Sequence, residues 1–198
     1  ADVETLLDGV NGIFMTGGDQ MRLVSLLGGT KLADKIRSIV RGSDVVLAGT
    51  SAGAAAMSTT MVVRGDPSSH PHKAAVRLSP GLGFLKNIII DQHFTERGRI
   101  SRLVTAVSYN PYNLGIGIDE NTAIILDGKG LLEVFGQGSI TIVDGSEITF
   151  NEIAEVADNE SFSVCGVQFH ILRDGLSYNY LDRAAIQPAG EFLLPDLG

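Results

Sequence analysis

The chain has 198 residues, of which 44% are hydrophobic, and its formal net charge at pH 7 is −8. This length and apolar content predict one folded domain and exclude a disordered chain. The negative charge argues against binding to nucleic acid or to an anionic membrane, whereas a cationic ligand is compatible with it. No apolar run approaches the roughly 18 residues of a membrane span, and no signal peptide follows Ala1. Cys165 is the only cysteine, so no intramolecular disulfide can form and a reducing, cytoplasmic environment is expected.

Apolar runs that end at glycine or polar residues alternate with stretches of helical periodicity along most of the chain. The predicted strands are Gly12–Met15, Val45–Ala48, Phe84–Ile90, Gly115–Ile118, Thr122–Leu126, Ser139–Val143 and Val164–Leu172. The predicted helices are Met21–Leu27, Lys31–Arg41, Ala54–Met57 and Gly98–Val107. This order predicts an α/β fold with a mostly parallel sheet flanked by helices, and the last strands predict an antiparallel edge or a small added sheet. Chemistry in such folds collects at the carboxyl ends of the strands.

A Gly-x-Ser-x-Gly segment lies at one of these strand ends. Gly49, Ser51 and Gly53 follow an apolar strand and precede an alanine-rich helix, which is the setting of a nucleophile elbow. The flanking glycines permit the sharp turn that exposes the serine hydroxyl, and the N–H of Ala52 is then placed to stabilise an oxyanion. The alternative is an ordinary glycine-rich turn whose serine has no chemical role.

A nucleophilic serine needs a base and a group that orients the base. His93 ends an apolar strand and is the best placed of the four histidines. The orienting acid is Asp119 or Glu120, which follow the strand Gly115–Ile118, and spacing alone does not choose between them.

The other three histidines are predicted to lie elsewhere. His70 and His72 occupy a polar loop, where their spacing resembles half of a metal site, but a solvated loop is favoured because no further ligand cluster is present. His170 is expected on the solvent-facing side of the C-terminal strand, because Phe169 and Ile171 alternate with it on the opposite face.

Three arginines lie within the six positions 97–102, shortly after His93. Arg97, Arg99 and Arg102 are suited to bind planar carboxylates, either of a substrate or of the protein itself. Asp91 and Glu96 lie close by in the sequence, so we expect at least one of the three arginines to form an internal ion pair.

Taken together, four segments resemble the cyanophycinases, a serine peptidase family that also contains aspartyl dipeptidase. In chain order they are Thr16-Gly17-Gly18-Asp19-Gln20, Gly49-Thr50-Ser51-Ala52-Gly53-Ala54, Asp91-Gln92-His93-Phe94 with Arg97, Arg99 and Arg102, and Gly117-Ile118-Asp119-Glu120. The resemblance implies a class I glutaminase-like fold, with Ser51 as nucleophile, His93 as general base and Glu120 as the acid that orients His93. It implies an oxyanion hole formed by the N–H groups of Gly18 and Ala52. The order Ser, His, Glu counts against a lipase or esterase.

The family hydrolyses cyanophycin, a poly-aspartate backbone with arginine on each side-chain carboxyl, to β-aspartyl-arginine dipeptides. The resemblance therefore implies this polymer or its peptides as the partner, a homodimer, and neither metal nor cofactor. The residues implied to bind the substrate are Gln20, Asp91, Gln92, Arg97, Arg99 and Arg102.

Members of the family carry a further N-terminal portion, so residues 1–198 are expected to form a single peptidase domain that lacks the family's first strands. Secretion stays open for the same reason. Two alternatives are retained: an aspartyl dipeptidase that acts on short peptides with N-terminal aspartate, and a non-catalytic protein that binds the polymer.

Overall fold

The computed structural model describes residues 3–65 and 70–186, and within them it contains five α-helices, fourteen strands and one short 3₁₀ helix. The α-helices are α1 (Val3–Leu6), α2 (Gln20–Leu27), α3 (Lys31–Gly42), α4 (Ala52–Ala55) and α5 (Ile100–Tyr109). The strands are β1 (Gly12–Met15), β2 (Val46–Gly49), β3 (Thr60–Gly65), β4 (Val76–Pro80), β5 (Ile88–Gln92), β6 (Leu114–Ile118), β7 (Thr122–Leu126), β8 (Leu131–Gly136), β9 (Ser139–Asp144), β10 (Phe150–Asn151), β11 (Val164–Cys165), β12 (Gln168–Arg173), β13 (Ser177–Asn179) and β14 (Ala184–Ile186). The 3₁₀ helix spans Lys73–Ala75.

The strands form several sheets, and the α/β class is confirmed. Parallel pairing joins β1 to β2 and β5 to β6. The sheet that contains β5 and β6 continues with antiparallel neighbours in the order β12-β9-β6-β5, and a second four-stranded sheet has the order β14-β13-β8-β7. The expected predominance of parallel pairs is therefore not found in the described part of the chain, because most of the later strands return directly through short turns. The antiparallel character of the C-terminal strands is confirmed.

Three layers enclose most of the core. Strands β5 and β6 present Ile90 and Ile116 to one side, where they pack against Leu132 and Tyr178 of the second sheet. The opposite side of the same sheet is covered by helix α5, which contributes Leu103 and Val107 among others. Burial on both faces explains the uninterrupted apolar run Ile88-Ile89-Ile90, which alternation alone does not predict. This packing fixes the end of β5, where His93 follows.

Side chains close the first turns of two helices near the N-terminus. The carboxylate of Asp19 accepts a hydrogen bond from the Arg22 N–H (3.0 Å) before α2, and the hydroxyl of Thr30 accepts one from the Ala33 N–H (3.2 Å) before α3. Both are ordinary N-caps, and they fix helix starts within one residue of the predicted ones. None of the helices in the described segments combines the length and apolar character needed to cross a membrane.

The predicted strand Val164–Leu172 is two strands, and its faces are reversed. Gly166 interrupts the run at φ +84°, and β12 begins only at Gln168. Phe169 and Ile171 point to solvent, with Ile171 72% exposed, while the ring of His170 packs 5.2 Å from that of Tyr178. The solvent-facing prediction for His170 is therefore wrong: alternation separates two faces, but the second sheet covers the one that carries His170.

A hairpin of β3 and β4 has no counterpart in the predicted elements. Its first strand follows α4 closely, and a polar segment joins its two strands, so neither gives a clear alternating pattern. Residues 66–69 of the predicted loop at 66–72 lie outside the described residues. The hairpin matters for function because it lies beside the helix that carries Arg102.

Candidate active site

Ser51 lies at the sharp turn between β2 and α4. Its backbone adopts φ 51° and ψ −120°, a conformation that is strained for a residue with a side chain. A Cβ on Gly53 would lie 2.2 Å from the carbonyl oxygen of Met15, and one on Gly49 would lie 2.8 Å from the backbone of Gly53. Both glycines of the motif are therefore required by the close approach of main chain, as the sequence pattern predicts.

His93 follows the last residue of β5 and faces Ser51. Its Nε2 lies 3.1 Å from the Ser51 Oγ, within hydrogen-bond distance. Its backbone also has a positive φ, 50°, so two strained residues meet at this point. β2 and β5 belong to different sheets, and the packing of α4 against β5 brings together side chains that are 42 positions apart in the sequence.

The two acids after β6 have different partners. The Glu120 Oε1 lies 2.8 Å from the His93 Nδ1, and the two side chains are 52% and 28% exposed. The carboxylate of Asp119 instead accepts hydrogen bonds from the N–H of Thr95 (3.1 Å) and from the N–H and hydroxyl of Ser139 (3.1 and 2.8 Å). Burial opposes ionisation of Asp119, but these hydrogen bonds outweigh it and hold the pKa of its carboxyl below the ordinary value. Asp119 thus ties the loops together, and Glu120 is the acid that contacts the histidine.

Hydroxyl, imidazole and carboxylate therefore form one hydrogen-bonded series. An imidazole that contacts a serine hydroxyl through one nitrogen and a carboxylate through the other can accept the hydroxyl proton. The loop of Gly17 and Gly18 lies beside this series, because a Cβ on Gly17 would be 3.3 Å from the Ser51 Cβ. Within the described segments, neither the Gly18 N–H nor the Ala52 N–H donates a hydrogen bond to another residue, so both remain available to a ligand.

Behind His93, Asp91 is the centre of a buried ion cluster. Its side chain is fully buried, and its Oδ2 accepts a hydrogen bond from the Arg102 Nε at 2.6 Å. Its Oδ1 accepts from Arg102 Nη2 and, at 3.3 Å, from Arg99 Nη1, which also donates to the Gln92 carbonyl. Burial, together with the nearby Arg102 and Arg97, lowers the pKa of Arg99, although Asp91 acts in the opposite direction. The predicted internal pairing of at least one arginine is confirmed, with Asp91 as the acid.

The remaining predicted substrate residues surround this cluster. The Gln20 amide donates to the carbonyls of Val62 and Val63 at 3.1 and 3.2 Å, which anchors it to β3. Gln92 is the partly buried last residue of β5, and Arg97 is exposed. Among the predicted arginine contacts, Arg97 is therefore the one that has no ion pair with any residue described by the structure, so its guanidinium can meet a ligand without breaking one.

Two residues at the site were not singled out by sequence reasoning as partners of the acids. Glu96 accepts a hydrogen bond from the Glu120 N–H at 2.9 Å, and does not pair with an arginine as its position suggested. Ser139 holds Asp119 from a distant strand. No pattern in the sequence links these pairs, which are 24 and 20 positions apart. His70 and His72 form no group with other potential metal ligands among the described residues.

Comparison with known proteins gives the family. The model of peptidase family S51 matches residues 1–134. The chain is 41% identical over 186 residues to the cyanophycinase of Nostoc sp. strain PCC 7120, which covers 94% of this chain and 62% of the relative. It is 44% identical over 168 residues to the cyanophycinase of Synechococcus elongatus (85% and 52%), and 41% identical over 178 residues to that of Geminocystis herdmanii (90% and 65%).

The match to the family model covers more than half of the chain, and this protein belongs to peptidase family S51. The chain spans between 52% and 65% of the length of these curated relatives. The four segments that carry the resemblance lie within the matched residues.

Proposed function

We propose that this protein is a serine-type peptidase that hydrolyses cyanophycin to β-aspartyl-arginine dipeptides. The observation that carries the proposal is the hydrogen-bonded series Ser51–His93–Glu120 in a chain of family S51. The relatives described above are named cyanophycinase, which favours the polymer over the short aspartyl peptides of the alternative.

In the proposed reaction the Ser51 hydroxyl attacks a backbone carbonyl carbon of the polymer. His93 Nε2 takes the hydroxyl proton, while Glu120 accepts the hydrogen bond of Nδ1–H and stabilises the imidazolium. The carbonyl oxygen becomes negatively charged and is bound by the N–H groups of Gly18 and Ala52, each contributing on the order of 3 kcal/mol.

Collapse of this intermediate breaks the C–N bond, and His93 returns its proton to the leaving amine. Water then attacks the acyl group on Ser51 by the same route, with His93 again acting as base and then as acid. The products are the free carboxyl of one fragment and the free amine of the other, and Ser51 is regenerated. No metal or organic cofactor takes part in this scheme.

The substrate residues have distinct proposed tasks. Arg97 is exposed and suited to bind a carboxylate of the polymer. Asp91 acts through the arginines that it holds, because both of its oxygens are already occupied. Gln20 follows the Gly18 loop and Gln92 ends β5, and both are proposed to contact the substrate from these positions. A homodimer and a cytoplasmic location, which the resemblance implies, stay predictions.

Release of β-aspartyl-arginine from insoluble cyanophycin tests the proposal directly. Ser51→Ala should abolish release, whereas the exposed helix position Ser25→Ala should leave it unchanged. Retention of activity in Ser51→Ala would refute the nucleophile assignment. A wild-type protein that binds the polymer but releases nothing would instead support the non-catalytic alternative.

A further inference from the structure

Two arginines face each other across the hairpin of β3 and β4. Arg64 and Arg77 are paired in the antiparallel register, next to a bulge between Val62 and Arg64, and both are exposed. Like charges directly opposite each other destabilise a strand pair. Neither guanidinium has an ion pair or hydrogen bond with any residue in the described ranges, so no described residue compensates for this repulsion.

The two arginines line a cleft of about 450 Å³ together with Arg102 of α5. Gly65 and Ala74 complete its lining, so no acidic side chain among the described residues faces it. A Cβ on Gly65 would lie 2.7 Å from Cδ of Arg102, which shows how closely the hairpin packs on that side chain.

Among the described residues, the positive charges of this region outnumber the negative ones. The carboxylate of Asp91 binds both Arg99 and Arg102, so the buried cluster keeps one net positive charge. Arg64 and Arg77 add two more in a protein whose formal net charge is −8. A cleft walled by cations in an acidic protein concentrates anions locally, and guanidinium groups favour planar carboxylates among them.

The elements that line the cleft are hydrogen-bonded to active-site segments at two points. Gln20, next to the Gly18 loop, donates to the carbonyls of Val62 and Val63 immediately before Arg64. Arg102 binds Asp91, two residues before His93. The hairpin and the cleft therefore adjoin the segments that carry Gly18 and His93.

We propose that Arg64 and Arg77 form a carboxylate-binding subsite for units of the polymer beyond the one being cleaved, a proposal that rests on the proposed function. In each β-aspartyl-arginine unit the arginine α-amino group is acylated, so its α-carboxylate is free. A polymer thus presents regularly spaced carboxylates along its length, whereas a single unit presents only its own.

Polymer binding by an inactive protein tests the subsite. In a Ser51→Ala background, co-sedimentation with insoluble cyanophycin is compared for the parent, for Arg64→Gln/Arg77→Gln and for the control Arg41→Gln/Arg173→Gln, which removes the same charge from exposed positions elsewhere. We expect the cleft variant to bind roughly 2- to 30-fold more weakly, as loss of two exposed ion pairs implies. Arg64→Lys/Arg77→Lys should recover most of the affinity, and thermal unfolding of the glutamine variant should not be lowered.

Polymer whose carboxylates have been converted to amides provides the chemical control. The parent and the cleft variant should bind it equally weakly. Equal binding of unmodified polymer by the cleft variant and the charge-matched control would overturn the subsite, and so would an effect that persists on amidated polymer.

The two proposals fail in distinguishable ways. Dipeptide release by the wild type, with unchanged polymer affinity in the cleft variant, would leave the proposed function intact and refute the subsite. Weakened binding in the cleft variant, without any dipeptide release by the wild type, would support the subsite and refute the peptidase.

Discussion

Removing the carboxylate of Glu120 tests which acid orients His93, a choice between Asp119 and Glu120 that residue spacing does not make. Two acids stand side by side after β6, and only Glu120 contacts His93, at 2.8 Å. Glu120→Ala removes the hydrogen bond and the charge, whereas Glu120→Gln keeps an acceptor but removes the charge. Both variants should lower kcat/KM on cyanophycin, with the alanine variant more affected.

The size of the expected loss in kcat/KM follows from the solvent exposure of the His93–Glu120 pair. A hydrogen bond to a charged group contributes about 1.5–3 kcal/mol, which corresponds to roughly 10- to 150-fold in rate. The loss of about 10⁴-fold known for the orienting acid of serine proteases concerns a buried aspartate. Glu120 is 52% exposed, so water replaces part of what is lost and the smaller range applies. Glu120→Gln replaces a charged hydrogen-bond acceptor by a neutral one, so we expect kcat/KM to fall by about 5- to 30-fold.

Asp119→Asn is the matched control, because it makes the same chemical change one residue away. Its carboxylate binds Thr95 and Ser139 but not His93, so this variant should lose stability and retain most of its kcat/KM. Kinetics are measured well below the unfolding temperature of each variant. Near wild-type kcat/KM in Glu120→Ala, together with a large loss in a folded Asp119→Asn, would refute the assignment.

Three further predictions concern the surroundings of the site. Gly53→Ala should lower the free energy of unfolding by about 3 kcal/mol, because its Cβ would lie 2.2 Å from a backbone oxygen. Gly42→Ala, at the open end of α3, is the control and should not lower it, and equal urea midpoints for the two variants would contradict the prediction. The pKa of Asp119 is lowered from 3.8, so the stabilisation by its carboxylate is complete above pH 3.8 and is lost as the pH falls through the lowered pKa. In a plot of urea midpoint against pH, Asp119→Asn should therefore show a flatter acid limb than the wild type. Burial, followed by the charge of Asp144, raises the pKa of Tyr178 from 10.0 to about 12, so stability should decline above pH 10.0. Tyr178→Phe should reduce that decline, although Tyr109 and Tyr180, whose pKa values are also raised, keep part of it; an unchanged alkaline limb would contradict the burial of a neutral phenol.

The active-site series could be predicted because its members lie where strands end. Ser51 and His93 follow apolar strands that terminate in glycine or polar residues, and α/β folds collect their reactive side chains at such ends. That the two strands belong to separate sheets was not indicated by the pattern. The choice between Asp119 and Glu120 could not be made in this way. Both follow Ile118, and their directions depend on contacts with Thr95 and Ser139 in distant segments.

The arrangement of the sheets was predicted less well, for a related reason. Alternation along β12 separates two faces correctly, but both carry apolar residues, and only the position of Tyr178 in another sheet decides which face is covered. The pairing of Arg64 with Arg77 likewise depends on a bulge and on a register that no local pattern specifies.

The strained backbone at Ser51 and His93 limits how many destabilising substitutions the protein tolerates before it unfolds. Ser51 and His93 both have φ near +50°, and such residues typically cost about 1–3 kcal/mol each. Natural domains have only about 5–15 kcal/mol in total, so the reactive geometry consumes a substantial part of the stability margin. Ser51→Gly relieves one of these conformations because glycine adopts positive φ freely. The inactive variant should therefore melt at a higher temperature than the active protein, and it should survive core substitutions that unfold its active parent.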